Sequence, residues 1–404
     1  MNDVLGFAGE LALLVLCVPV LTWALYLAAL SLLSFPPRPP LSPRPPSLRF
    51  DFVVPAHDES LGIAATVKSL QSVDYPAELF RVLVVADNCT DDTALKAREA
   101  GAVVLERFDA KLRGKGYALA HAFQWCLKEG ADAVVVVDAD TLVSKNLLSA
   151  FAARLAAGNV AVQAHYGVQN PNASWRTRLM RIALSMFHQV RSIGRERLKV
   201  SAGLRGNGMC FRTSLLREVP HDAYSLVEDL EYGIRLGRRG FRVAYAWEAD
   251  VLGEMVSGES ASRSQRNRWE QGRAQMLAQH GWPLLRDGLR QRSALLMDLA
   301  MDVLVPPLSR VVGFSLLGAF ASGLLLAMVG HGAIASAAFG VALACVALYV
   351  FAGWLHSGTG LRGLMDLGLA PAYVAWKVVL AFRVPRGQKQ TEWVRTTREG
   401  ETRP

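Results

Sequence analysis

The sequence has no pair of cysteines at C-x-x-C spacing: Cys17, Cys89, Cys126, Cys210 and Cys345 are scattered. Neither a zinc site of paired thiolates nor a disulfide framework is therefore indicated; reduced, mostly buried thiols are expected. Zinc-finger spacing and the aromatic signature of RNA-binding modules are also missing. The net charge of +9 is therefore not read as a nucleic-acid surface. G-x-x-x-x-G-K-S/T is absent too, so Gly114-Lys115-Gly116 is a flexible loop with one lysine rather than a P-loop. Three stretches lack charge altogether: Leu11 to Phe35, Val311 to Gly330 and Gly332 to Leu355.

Those runs are what the chain has instead. As a helix rising about 1.5 Å per residue, Leu11 to Phe35 reaches about 37 Å, more than a hydrocarbon core of about 30 Å. A signal peptide needs a basic start, and this N-terminus reads Met1-Asn2-Asp3, so an uncleaved anchor is expected. Residues 1–35 are assigned to that anchor, and residues 36–48 to a stiff proline-rich linker. Its Arg38 and Arg44 place the linker and the domain after it on the cytoplasmic side of the inner membrane. The basic balance fits an anionic membrane surface and phosphorylated substrates. Residues 291–382 read as an interfacial helix over Ala294 to Leu304, with Asp298 and Asp302 on one face, then two spans joined at His331. A second interfacial helix is expected over Leu364 to Phe382, and residues 383–404 form a basic cytoplasmic tail.

Between the membrane segments, residues 49–290 alternate strand and helix. Phe50 to Val54, Arg81 to Ala86, Ala102 to Leu105, Ala133 to Val137 and Val160 to Gln163 are short β-branched runs. Helical patterns such as Leu61 to Gln71 and Tyr117 to Lys128 separate them. That alternation predicts an α/β fold with a doubly wound, mostly parallel sheet. In such sheets the chemistry gathers beyond the carboxyl ends of the strands.

Three strand ends carry polar or acidic loops: Pro55 to Glu59, Asp87 to Thr93, and Asp138-Ala139-Asp140. Together they outline a nucleotide pocket, with carboxylates accepting from base N–H and ribose hydroxyls. Asp-x-Asp at a rigid tip suits a hard divalent cation that also grips a diphosphate; the plain alternative is a polar turn capping the next helix. Thr90 and Asp92 read as helix caps. Asp229 is a helix cap or a general base for an acceptor hydroxyl. Gln265-Arg266-Asn267-Arg268-Trp269 offers a guanidinium fork, an amide and an indole, which suit a diphosphate and a sugar; the alternative is a basic amphipathic helix at the membrane.

In their order, Asp138-x-Asp140, Glu228-Asp229 and Gln265-x-x-Arg268-Trp269 resemble the membrane-embedded family 2 glycosyltransferases, in the branch of the cellulose, chitin and hyaluronan synthases. The resemblance implies a GT-A fold with a Rossmann-like sheet, flanked by transmembrane and interfacial helices. It implies that Pro55, Ala56, His57, Glu59 and Asp87 bind uridine and that Lys115 contacts the nucleotide. Asp138 and Asp140 would hold the diphosphate with Mg²⁺ or Mn²⁺. Asp229 would be the base, supported by Glu228; Gln265 and Arg268 would clamp the pyrophosphate, and Trp269 would floor the acceptor site. Two features depart from the branch: no gating-loop sequence is present, and Gly203 to Cys210 is not the cellulose or chitin version of the acceptor-side loop. The expectation is an inverting β-glycosyltransferase extending a polysaccharide from a UDP-sugar, with export partners for the polymer. The other readings are single sugar addition to a lipid and an inactive membrane scaffold or sensor.

Overall fold

The computed structural model describes residues 2–369 except 36–38, 40, 43 and 255–258; the side chains of residue 2 and of residues 259–268 also lie outside the description. Eight strands form one sheet: β1 (Phe50–Ala56), β2 (Phe80–Asp87), β3 (Val103–Arg107), β4 (Ala133–Val136), β5 (Thr141–Val143), β6 (Ala161–Val168), β7 (Met209–Arg212) and β8 (Ala244–Gly253). Their order is β3-β2-β1-β4-β7-β6-β8-β5. The pairs β1–β2, β1–β4, β2–β3 and β6–β8 are parallel, whereas β7 runs antiparallel to both neighbours and β5 antiparallel to β8.

The helices are α1 (Asn2–Leu33), α2 (Ile63–Gln71), α3 (Thr93–Glu99), α4 (Lys115–Lys128), α5 (Leu147–Ala156), α6 (Trp175–Leu184) and α7 (Arg191–Arg197). They continue with α8 (Thr213–Glu218), α9 (Glu228–Arg238), α10 (Glu259–Gln291), α11 (Ala294–Leu304), α12 (Leu308–Val329), α13 (Ala333–Ser357) and α14 (Gly360–Gly368). Alternation along the strands sorts the core into two layers. Phe52, Val54, Val84 and Val135 pack on Ile63, Val67 and Leu70 of α2 and on Leu147 and Phe151 of α5. Val53, Leu83, Val85 and Val134 face the other way, onto Leu119 and Phe123 of α4, Leu216 of α8 and Leu236 of α9. Both faces of β4 are therefore covered, which is why it reads as unbroken valine.

The five expected strands are present. The three that were not expected, β5, β7 and β8, are short, antiparallel or polar. β7 lies in a glycine-rich stretch, and β8 carries Trp247, Glu248 and Ala249 in a register break opposite Ala164 and His165. At the start of α3, Asp92 holds the N-cap position as expected, but its side chain makes no capping bond. Asp91, not Asp92 or Thr90, accepts from Thr93 N at 3.0 Å; Asp92 pairs with Lys96 at 3.1 Å, and Thr90 N donates to Asp58.

Among the described residues, three helices are long and apolar enough to cross a membrane: Asp3–Leu33, Leu308–Val329 and Ala333–Ser357. They carry outward apolar side chains such as Phe7, Leu16, Leu317, Phe320 and Phe351. α1 does not stop at the sheet domain but continues along it, with Leu27 packed on Val190, Val305, Tyr349 and Ala352. The expected helix over Ala294 to Leu304 is α11, with Asp298 and Asp302 on one face as expected, and that face is turned onto the protein. Asp298 and Asp302 point inward and are buried, Asp298 paired with Arg195 at 2.7 Å and Asp302 with Arg191 at 3.1 Å and Arg195 at 3.0 Å. Tyr26 of α1 donates to Asp298 at 2.8 Å, and Arg191 donates to Tyr349 of α13 at 3.0 Å. Removing one partner from such a buried pair typically costs about 3–5 kcal/mol, because the other charge stays buried. Of the stretch read as a second interfacial helix, α14 covers the start, with Leu361, Leu364 and Met365 exposed and Asp366 turned inward onto Arg178. Residues 370–382 and the basic tail lie outside the described residues.

Candidate active site

The parallel strands β1, β2 and β4 end at one edge of the sheet, and β7 starts there, because Met209 pairs with Val136. Four loops therefore meet at that edge: 57–62, 88–92, 137–140 and 203–208. Asp58 and Asn88 both adopt left-handed backbone, at φ 55° and 52°, a conformation uncommon outside glycine but tolerated by Asp and Asn. His57 Nδ1 lies 2.8 Å from Asp87 O, and Glu59 N donates to Thr93 Oγ1 at 2.8 Å, so the first two tips are tied together. Asp58, Cys89 and Asp91 also converge there. Their polar atoms are already taken up by Thr90 N, Ala56 O and Ser60 N, so they serve to brace the tips.

Pro55 and Ala56 are buried at the end of β1, and Asp87 is buried at the end of β2. Asp87 Oδ1 accepts from Arg107 at 2.6 Å, while its Oδ2 has no hydrogen-bond partner. A buried carboxylate oxygen left open is costly, and so is a sign of a missing donor. Arg107 also lies over Tyr117, whose ring stacks on Tyr224 at 4.2 Å. That contact leads from Asp87 to the start of α4.

The centre of the cluster is Lys115, the first residue of α4. Its Nζ donates to Asp138 Oδ1 and to Gly206 O, both at 2.6 Å, and lies 3.6 Å from Glu228. α4 can sit this close because Gly116 has no side chain; a Cβ there would lie 2.2 Å from Ala223 O. Gly206 has φ +77° and turns its carbonyl onto Lys115, with Asp229 Oδ2 3.4 Å from where its Cβ would stand. Asn207 holds the tip from below. Its Oδ1 accepts from Asp138 N at 3.2 Å and its amide donates to Thr141 at 2.8 Å, while Gln163 donates to Asn207 O at 2.7 Å.

Glu228 and Asp229 occupy the first turn of α9, where the helix end favours negative charge. Asp229 is thus inside the helix rather than its cap. Burial pushes the Glu228 carboxyl up to about 7, with the neighbouring Asp229 adding to the rise and Lys115 opposing it. Burial also raises Asp229, against the Leu230 amide, Lys115 and Arg205. Burial alone would lower the Lys115 ammonium, but Asp138, Glu228 and Asp229 raise it overall. Lys115 therefore stays charged.

The raised Glu228 carboxyl has a consequence for stability. Below about 4.5 it is neutral in both folded and unfolded chains; between about 4.5 and 7 only the unfolded chain ionises, so stability falls as pH rises through that window. Glu228→Gln removes that dependence. Thermal melts in chelator should show the wild-type midpoint falling relative to Glu228→Gln from pH 4.5 to 7; parallel curves would refute the assignment.

Asp138 and Asp140 are half-buried hard oxygen donors two residues apart, with Asp138 on Lys115 and no thiolate among its partners. That donor set fits Mg²⁺ or Mn²⁺. Gln265 and Arg268 fall on α10, but their side chains lie outside the described residues. Trp269 is half-buried on the same helix, one turn before Gly272, which packs on Val227 next to Glu228. The structure thus gathers Lys115, Asp138, Glu228 and Asp229, and separately His57, Glu59 and Asp87. Sequence reasoning missed Arg107 and Asn207. Nothing in the sequence marked Arg107; Asn207 lies in the singled-out glycine-rich stretch, where a lone amide between glycines was the available signal.

Residues 45–272 match the family described as Glycosyltransferase like family 2. This is more than half of the 404 residues, and the chain belongs to that family. It is 29% identical over 306 residues to a β-monoglucosyldiacylglycerol synthase of Synechocystis sp., covering 71% of this chain and 62% of that protein. It is 25% identical over 229 residues to the probable glycosyltransferase YdaM of Bacillus subtilis, covering 54% of each. Over 125 residues it is 27% identical to a probable glucomannan 4-β-mannosyltransferase of rice, covering 31% of this chain and 23% of that protein. The chain thus spans less than two thirds of the length of each. Among solved structures, a mannosyltransferase of Pyrobaculum calidifontis, in complex with GDP-Man and Mn²⁺, shares the fold at a TM-score of 0.54 and 18% identity, covering 95% of this chain and 94% of that one. The narrower resemblance to cellulose, chitin and hyaluronan synthases is not carried by these relatives.

Proposed function

We propose that this family 2 glycosyltransferase moves one sugar from a UDP-sugar to the hydroxyl of a diacylglycerol-type lipid, at the cytoplasmic leaflet of the inner membrane. The observation that carries the reading is the cluster of Asp229, Glu228, Lys115 and Asp138, in a domain packed directly on helices of membrane length. The similarity to a synthase named for a glucosyl lipid supports the single-addition reading over the polymer one.

In this reading Asp229 accepts the proton of the acceptor hydroxyl as that oxygen attacks the anomeric carbon from the face opposite the leaving diphosphate. The configuration inverts, and no covalent enzyme intermediate is needed. Glu228 crowds Asp229 and keeps Lys115 between the two acidic groups. Lys115, charged and on Asp138, is poised to exchange that carboxylate for a donor phosphate. Asp87 Oδ2, the open acceptor, takes the base N–H, with His57 and Glu59 framing the nucleoside. Arg268 and Gln265 clamp the diphosphate, and Trp269 lines the acceptor side. Asp138 and Asp140 would hold the divalent ion, which when bound supplies positive charge to the diphosphate.

The test is to incubate the full chain in lipid nanodiscs with radiolabelled UDP-sugars and diacylglycerol, then to size the products. One glycolipid carrying a single sugar is expected. A ladder of longer saccharides would overturn single addition in favour of polysaccharide synthesis, and no transfer from any UDP-sugar would overturn the donor assignment.

A further inference from the structure

The 203–208 loop presents two groups to the catalytic cluster: Gly206 O, which takes Lys115 Nζ at 2.6 Å, and Asn207 Oδ1, which takes Asp138 N at 3.2 Å. The residue just before them, Arg205, turns the other way and is buried. Its guanidinium lies 4.3 Å over the Phe187 ring, donates to Ala202 O at 3.1 Å, and stands 4.0 Å from Asp302 Oδ2. Asp302 belongs to α11, beyond the sheet domain in sequence. It is also held by Arg191 and Arg195, and Arg191 in turn bonds Tyr349 of α13. The catalytic loop is therefore joined to the membrane-length helices through one carboxylate.

We propose that Asp302, acting through Arg205, is a positioning residue that fixes the 203–208 loop where Lys115 and Asp138 need it. Three observations support this. The backbone side of the loop is fixed by Gln163, which accepts from Arg205 N at 2.9 Å and donates to Asn207 O at 2.7 Å; Arg205 is the loop's ionic link to α11. The burial of Asp302 would favour its neutral form, yet the guanidinium groups of Arg195, Arg205, Arg273 and Arg191 hold its carboxyl well below the usual range, so it is an anion able to anchor Arg205. Phe187 also carries Arg191 and Arg273 near its ring, so one aromatic floor sets the height of three cations. Misplacement of a reacting group by about 1 Å costs on the order of 10²-fold in rate. A loop released from α11 therefore slows chemistry without removing a single contact to the donor.

The activity arm of the test rests on the glycosyl-transfer reading above; the exchange arm does not. Hydrogen–deuterium exchange of the full chain in nanodiscs, without substrate, reads the loop directly. Arg205→Gln should speed exchange across 203–208 by about tenfold or more and leave β4 and α9 as in wild type. In turnover, Arg205→Gln should lower kcat by about 10–10²-fold with the donor KM within about threefold, because the loop positions rather than binds. Asp302→Asn, which removes the anion, should loosen the loop and lower kcat as Arg205→Gln does, whereas Asp302→Glu, which keeps it, should stay within about threefold of wild type in both readouts. Should Arg205→Gln not fold, Arg205→Lys keeps the charge but loses the planar fork over Phe187, and should loosen the loop to an intermediate degree. Wild-type exchange and wild-type kcat in the Arg205 variants would overturn the proposal, as would a KM that rises in step with the loss of kcat. If no UDP-sugar is turned over, the functional reading falls while the exchange data still decide the role of Asp302.

Discussion

Asp229→Asn should lower turnover by about 10²–10⁴-fold while UDP affinity stays within a few-fold of wild type. The magnitude is that of a lost general base. The asymmetry follows from the proposed role: a general base is needed only as the acceptor hydroxyl gives up its proton, so its loss would raise the barrier without weakening the ground state. The site supports that timing. Asp229 lies in the first turn of α9, beside Gly206 and across from Lys115, and burial raises its carboxyl, moving its proton affinity toward neutral pH. Arg268→Ala should instead weaken UDP binding as well as turnover, because a clamp on the leaving diphosphate acts in both states. Calorimetry of UDP with Mn²⁺, run beside a turnover assay, separates the two. An Asp229→Asn protein that lost UDP binding yet kept its rate per complex would make Asp229 a nucleotide ligand, with Glu228 the next candidate for the base.

The second large effect is expected from the strand tip. Asp140→Asn, or chelation of the wild type with EDTA, should cost about 10³-fold or more in turnover, since a metal's neutralisation of phosphate charge is worth several kcal/mol and each 1.36 kcal/mol is tenfold. Thermal melts should be almost unchanged by the mutation, because Asp140 is half-buried and outside the two core layers. Added Mg²⁺ or Mn²⁺ should restore the chelated wild type and not the mutant. Substantial turnover in excess chelator would show that Asp138 and Asp140 act without a metal, with Lys115 the remaining counter-charge.

Much of the fold and of the site is legible in the residues alone. Strands buried on both faces, such as Ala133 to Val136, announce themselves as apolar runs, and the acidic residues after them mark the working edge. Lys115 stands out in the sequence only as a loop lysine; its three partners come from residues 138, 206 and 228, distances in sequence that no local pattern encodes. β7 and β8 escape because a glycine-rich approach and a register break blur the two-residue period. α11 misleads for a different reason. Two aspartates spaced i, i+4 on an apolar helix look the same whether they meet water or buried arginine, and Arg191 and Arg195 lie more than a hundred residues away, at separations of 111 and 103.

That separation bears on how the protein is made. Synthesis at about 5–20 residues per second would leave Arg191 and Arg195 without their carboxylates for roughly 5–20 s after they leave the ribosome. During that interval α1, which carries Tyr26, is already made, and Tyr26 stands without Asp298. The sheet can close on its own two apolar layers, but its seam with the membrane-length helices waits for α11. Two carboxylates of a late-emerging helix must then dock into an early-formed basic slot, and Tyr349 of α13, later still in the chain, closes onto Arg191 after them.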